Sequence, residues 1–173
     1  IVSAFPHYPN GIIPEKYRRK MKCVDSLISH VIRLVEINKN TGKLIQIDLE
    51  PEPDGLIENT REVIDFYKYF LLKFGTIKLQ NNLNCSSEEA KLHIIDHIQI
   101  CYDVCHFALA YEHPVEVIIQ LQKEGIKIGK IQISAALKCV KSNNESLSKQ
   151  QQSLGQFDEP TYLHQAVVKE KDG

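Results

Sequence analysis

The sequence has few of the features that define several common protein classes. Glycine is sparse, with eight residues in 173, and no G-x-G-x-x-G follows a predicted strand. The sequence therefore lacks the motif that would indicate dinucleotide binding. No apolar run approaches the roughly 20 residues of a membrane-spanning helix. The net charge of -1 gives no electrostatic reason to expect nucleic acid or an anionic membrane as a partner.

Cysteine is present without an informative spacing. The five cysteines are odd in number and contain no C-x-x-C pair, so we expect reduced thiols and a cytoplasmic protein. A hydrophobic content of 43% and a charged content of 25% are ordinary for one soluble globular domain. Because the chain begins at Ile1, we expect it to be part of a longer protein.

Helix and strand signals alternate along the chain. Apolar residues repeat at helical spacing between about 20 and 38, and cap signals at Asn59, Ser86 and Pro114 open three further helices. We count about five strands, among them 44–49, 98–102, 126–134 and a final candidate at 162–168. Strands separated by helices predict an α/β fold with a parallel sheet. Residues 140–153 are Ser-, Gln- and Asn-rich and predict an exposed polar loop.

An aspartate and a histidine stand three residues apart at the carboxyl end of a predicted buried strand. Asp103 and His106 must be hydrated, paired or bound to a metal in such a position. Ligands of α/β sheets bind at this end of the strands. The two residues are therefore the first candidates for a site. The alternative is that the carboxylate and the imidazole pair only with each other and bind no ligand.

Other polar residues follow the neighbouring predicted strands. Glu50 follows the first strand, Gln132 ends another, and His164 lies in the last candidate. If these strands are neighbours, the three side chains meet Asp103 at one edge of the sheet. Carboxylates with oxygen or imidazole donors suit Mg²⁺, Mn²⁺ or Zn²⁺. Glu50 could equally be a solubilising loop residue, and Gln132 could serve the structure alone.

The same strand ends supply further candidates. Ser134 and Gln165 lie beside the predicted ligands and are candidates for binding substrate. Cys101 and Cys105 flank Asp103 and could be soft metal ligands. We favour packing for both cysteines, because the neighbouring candidate ligands are hard oxygens.

Four ordered motifs resemble a known family. They are LEPEP at 49–53, CYDVCH at 101–106, KIQISAAL at 130–137 and YLHQ at 162–165. Together they resemble the EboE family of metabolite traffic proteins, which belongs to the xylose isomerase-like, or sugar phosphate isomerase/epimerase-like, TIM barrels. The resemblance runs from about residue 43 to the C-terminus. It implies a (β/α)8 barrel, of which residues 1–173 form a part, about strands four to eight.

The resemblance also implies roles for particular residues. Glu50 and Asp103 match the family's metal ligands, and His106 matches a residue that contacts substrate. Glu58 is the nearest match to a second glutamate that helps to bind substrate. Gln132 stands where the family has a histidine ligand. His164 is a substitute candidate for the last ligand.

Two functions follow from the resemblance. The first is a sugar phosphate isomerase/epimerase-like enzyme that acts on a small polyhydroxy or carbonyl metabolite, in which Glu50 moves a proton near a divalent metal and His106 orients the substrate. The alternative is a non-catalytic metabolite-binding or traffic protein that assists export of a precursor, and Gln132 in place of histidine favours it. A related apurinic-site endonuclease needs a basic groove, and the net charge of -1 argues against it. The substrate and the oligomeric state stay open.

Overall fold

The structure is a computed structural model that describes residues 14–139, 149, 152, 154–158, 160 and 166–169. Within these residues helices predominate, and three short strands form one sheet. The helices are α1 (Glu15–Thr41), α2 (Thr60–Phe66), α3 (Thr76–Leu83), α4 (Ser87–His97), α5 (Val104–Leu109) and α6 (Pro114–Lys123). A π-helical stretch, Tyr67–Gly75, joins α2 to α3. The strands are β1 (Ile47–Leu49), β2 (Ile98–Asp103) and β3 (Ile128–Gln132).

Local side-chain signals set several helix boundaries, as the sequence predicts. The Asn59 side chain accepts a hydrogen bond from the backbone N–H of Glu62 at the start of α2. Ser86 and Glu89 form a reciprocal capping box at the start of α4. Gly42 ends α1 in the left-handed conformation, with φ of 71°, which costs glycine little. These predicted helix ends are confirmed.

The sheet is parallel, with β2 between β1 and β3. Leu49 of β1 lies opposite Ile100, and Asp103 of β2 lies opposite Gln132 of β3. Since parallel strands run in one direction, their carboxyl ends share one edge of the sheet. This edge brings Asp103 and Gln132 together, and Glu50 follows β1 directly.

One face of β2 packs against the helices. Ile98, Ile100 and Tyr102 belong to the apolar core, and the Tyr102 ring stacks on Phe107 with centroids 4.5 Å apart. The Tyr67 hydroxyl donates to the carbonyl of Ile98 at 2.8 Å. Because side chains alternate along a strand, the residues between these apolar ones face away from that core. All six residues of β2 are nevertheless buried.

The prediction of a TIM barrel, whole or partial, is wrong for the part of the chain that the structure describes. Three strands form an open sheet there, too few to close a barrel. Two successive helical segments, 60–83 and 87–97, stand between β1 and β2, where the barrel pattern has one helix per strand. The fold is therefore mostly helical with a small parallel sheet.

The predicted strands are also longer than those in the structure. β1 is three residues long because 44–46 do not pair, and Leu44 and Ile45 are exposed. β3 covers 128–132 of the predicted 126–134. Of the predicted final strand, 162–165 lie outside the described residues and 166–168 are not in a strand. The predicted loop at 140–153 is described only at residues 149 and 152.

Candidate functional site

Asp103 occupies the junction between β2 and α5. Its side chain is buried, with 2% of the residue exposed, and it caps α5 by accepting a hydrogen bond from the backbone N–H of Cys105 at 3.0 Å. A buried carboxylate must be compensated by donors. The residues around Asp103 supply several of them.

Donors from β3 and the residues after it complete this arrangement. The Ser134 hydroxyl donates to Asp103 Oδ1, and the Gln132 amide donates to Asp103 Oδ2. Ser134 Oγ also accepts from the backbone N–H of Cys105 at 2.8 Å. Both carboxylate oxygens are thus hydrogen-bonded, and Asp103 joins the ends of β2 and β3.

These contacts keep Asp103 ionised. Burial by itself raises the pKa of the carboxyl group, but the hydrogen bonds from Ser134 and Cys105 outweigh burial and lower the pKa of Asp103 to about 2. Burial is also the main reason why the pKa of the Cys105 thiol is raised. At neutral pH the site therefore has a fixed anion beside a protonated thiol.

Glu50 and His106 form the more accessible part of the site. His106 Nδ1 lies 3.6 Å from Glu50 Oε1 and 2.9 Å from the carbonyl oxygen of Pro51. An Nδ1–H that donates to this carbonyl leaves Nε2 with a free lone pair. The Glu50 side chain is 37% exposed and that of His106 15%. A carboxylate and an imidazole thus stand together where a ligand can reach them.

Gln132 bridges the two carboxylates through its amide nitrogen. Its Nε2 contacts Asp103 and lies 3.4 Å from Glu50 Oε1, while its oxygen accepts from Lys130 Nζ at 2.8 Å. A cation in the place of this amide group would contact the same two carboxylates, and the role of Glu50 and Asp103 as metal ligands stays a prediction. Gln132 itself acts here as a donor, and its role as a metal ligand stays a prediction.

Among the predicted site residues that the structure describes, Glu58 does not join this cluster. Glu58 lies on the loop before α2, where its backbone N–H donates to Glu62 at 3.0 Å. Within the described residues no hydrogen bond or ion pair links the Glu58 side chain to Asp103 or His106. His164 and Gln165, predicted for metal and substrate binding, lie outside the described residues.

The structure adds Cys105, for which the sequence favours packing, to the candidate ligands. A ligating atom from each of Asp103, Cys105 and His106 lies within 4.8 Å of the other two. The turn from β2 into α5 brings these residues together, because each lies within three positions of the others. The D-x-C-H spacing is present in the sequence. Spacing alone, however, does not show that a turn brings the cysteine close to the aspartate and the histidine.

Comparisons with family models, curated proteins and solved structures found no match to this chain. The resemblance to the EboE family therefore stays a prediction. In the described part of the chain, no helix combines the length and apolar character needed to cross a bilayer.

Proposed function

We propose that the chain is a sugar phosphate isomerase/epimerase-like protein whose site takes a small polyhydroxy or carbonyl metabolite. The observation that carries this proposal is the accessible Glu50–His106 pair beside the buried anion Asp103. Isomerases and epimerases of this kind move a proton on carbon next to a carbonyl or hydroxyl group. That chemistry requires an accessible base and a fixed partner for the substrate's polar groups.

The three side chains have distinct parts in this proposal. Asp103, with a pKa of about 2, is too weak a base at neutral pH and serves as a fixed anion. Glu50 is the more exposed carboxylate and accepts the proton from carbon. His106 presents Nε2 to a substrate hydroxyl. A divalent metal held at Asp103, beside Glu50, would polarise the carbonyl oxygen of the substrate.

Hydrogen exchange tests this function without knowledge of the product. The protein would be incubated in D₂O with a panel of aldoses, ketoses and their phosphates, with Mn²⁺ or Zn²⁺ added. We expect exchange of a carbon-bound proton for deuterium with at least one compound, detected by NMR. Glu50→Gln should abolish it. Glu52→Gln, two residues away on an exposed side chain, is the matched control and should keep it. Equal exchange in Glu50→Gln and wild type would overturn the role of Glu50.

A specific observation favours the second candidate, a non-catalytic metabolite-binding or traffic protein. Both oxygens of Asp103 already accept hydrogen bonds from the protein itself, which suits a rigid binding surface. This candidate predicts saturation-transfer NMR signals from a compound of the panel with no deuterium exchange, and loss of those signals in His106→Ala.

A further inference from the structure

We propose that Cys105 is a metal ligand and that, with Asp103 and His106, it forms a zinc-type site. This inference rests on the proposed function and deepens it by naming the ligands of its metal. With the ion bound, His106 contacts the metal instead of the substrate hydroxyl, and Glu50 remains the base. It rests on the mutual approach of the three ligating atoms, all within 4.8 Å of one another. From the sequence alone, we expect oxygen donors and His164 at the metal, without the thiol.

The separation of the three atoms is close to that of a formed site. Zinc stands about 2.3 Å from sulfur and about 2.0–2.2 Å from nitrogen or oxygen, so its donors lie roughly 3–4 Å apart. The three side chains would thus need to close by about 1 Å. Cys105 and His106 are half-buried rather than locked in the core, and rotation of their side chains can supply this movement.

Surrounding groups already orient two of the three ligands. The Pro51 carbonyl accepts from His106 Nδ1, and Ser134 and the Cys105 N–H hold Asp103 Oδ1. Carbonyl, hydroxyl and amide partners of this kind typically fix the tautomer and direction of metal-binding side chains. Oδ1 accepts two hydrogen bonds and Oδ2 accepts one, so Nε2 of His106 and one lone pair on Asp103 Oδ2 remain for an ion.

The donor set selects the metal. One sulfur, one imidazole nitrogen and one carboxylate oxygen favour Zn²⁺ or Co²⁺ over Mg²⁺ or Ca²⁺, which prefer oxygen alone. Three protein ligands leave the fourth position of a tetrahedral ion to water or substrate. Binding converts the Cys105 thiol to a thiolate and releases its proton to solvent.

Cobalt titration of the reduced, chelator-treated protein tests this assignment. Thiolate-bound Co²⁺ has a near-ultraviolet charge-transfer band that oxygen and nitrogen ligands do not produce. We expect about one equivalent of Co²⁺ with this band, displaced by Zn²⁺ and unaffected by excess Mg²⁺. In Cys105→Ser the band should vanish and affinity should fall by more than the roughly 10–100-fold that loss of an outer hydrogen-bond partner costs. Cys139→Ser, at an exposed thiol, is the matched control and should keep the band.

The outcomes separate this inference from the proposed function. Stoichiometric Co²⁺ without the band, or a band that persists in Cys105→Ser, overturns the role of Cys105, even if deuterium exchange with Mn²⁺ supports the isomerase. The expected band without any exchange upholds the zinc-type site and contradicts the isomerase. If Cys105→Ser does not fold by circular dichroism, Cys101→Ser, at the other cysteine that flanks Asp103, decides instead. A band that persists in Cys101→Ser supports Cys105 as the ligand, and a band that is lost there overturns it.

Discussion

Ile100 and Cys101 are neighbours on β2 and are each 2% exposed, yet different parts of the molecule cover them. Ile100 belongs to the apolar core beneath the helices, whereas Cys101 is absent from that core and shares its face with Gln99 and Asp103. At the carboxyl end of that second face, a hydrogen-bond network fills the space. Burial therefore does not distinguish core from site in this sheet, whereas the chemistry of the covering groups does.

The largest expected effect of this difference is on stability. Ile100→Ala should lower the free energy of unfolding by about 2–5 kcal/mol, because it removes buried methyl groups and leaves a cavity among the helices. Cys101→Ala, the adjacent and equally buried control, should cost about 1 kcal/mol. Urea denaturation of the two variants measures both values. Equal losses would mean that the two faces are packed alike.

Asp103→Asn should lower the free energy of unfolding by less than Ile100→Ala does, and its effect should depend on pH. At neutral pH we expect a loss of about 1–3 kcal/mol, because the hydrogen bonds to Asp103 no longer reach a charged acceptor. The pKa of Asp103 is lowered from 3.8 to about 2 on folding. The ionised form thus stabilises the fold above about pH 4, and this contribution is lost as the pH falls towards 2.

The measurement is the difference in thermal unfolding between wild type and Asp103→Asn across this pH range. The difference should narrow as the pH falls from about 4 to about 2. Glu52→Gln is the control and should follow the wild type throughout. A constant difference would show that Asp103 stabilises the fold by its shape and not by its charge.

The smallest expected difference in stability is between alanine substitutions at two glycines, which are also the most closely matched pair. A Cβ on Gly75 would lie 2.7 Å from Cδ1 of Ile28, inside the packed helical layer, so Gly75→Ala should cost about 1–3 kcal/mol. The three atoms nearest to a Cβ on Gly129 lie within 3 Å and belong to the Gln46 and Asp48 side chains. The ends of these side chains can rotate into solvent, so Gly129→Ala should cost less than about 1 kcal/mol. Thermal unfolding of both variants shows which substitution costs more stability. A larger loss in Gly129→Ala than in Gly75→Ala would mean that the polar face of the sheet is more rigid than the helical layer.

The sequence predicted features that depend on contacts within a few residues. Asn59, Ser86 and Gly42 mark helix ends because their hydrogen bonds or φ angles are local. The helical segment that begins after Asn59 continues through the π-helical stretch to Leu83. Gly75 there lies against Ile28 and Ile94, contacts that come from distant parts of the chain.

In the candidate site, too, the sequence predicts what depends on local patterns and not what depends on distant contacts. Placing Glu50, Asp103 and Gln132 at one edge follows from parallel strands, which alternating signals predict. The direction of the Gln132 amide depends on Lys130 and two carboxylates, and the position of Cys105 depends on the turn into α5. The barrel was wrong because it was carried over from short motifs, which do not determine how many strands lie between them.

The direct joint between α4 and β2 has a mechanical consequence. His97 ends the helix and Ile98 begins the strand, while His97 Nδ1 donates to the carbonyl of Ile45 at 2.6 Å, just before β1. Because no loop separates the helix from the strand, we expect a displacement of α4 to move β2 and, with it, Asp103 at the other end of the strand. Substitutions in α4 should therefore change the position of the carboxylate without contacting it.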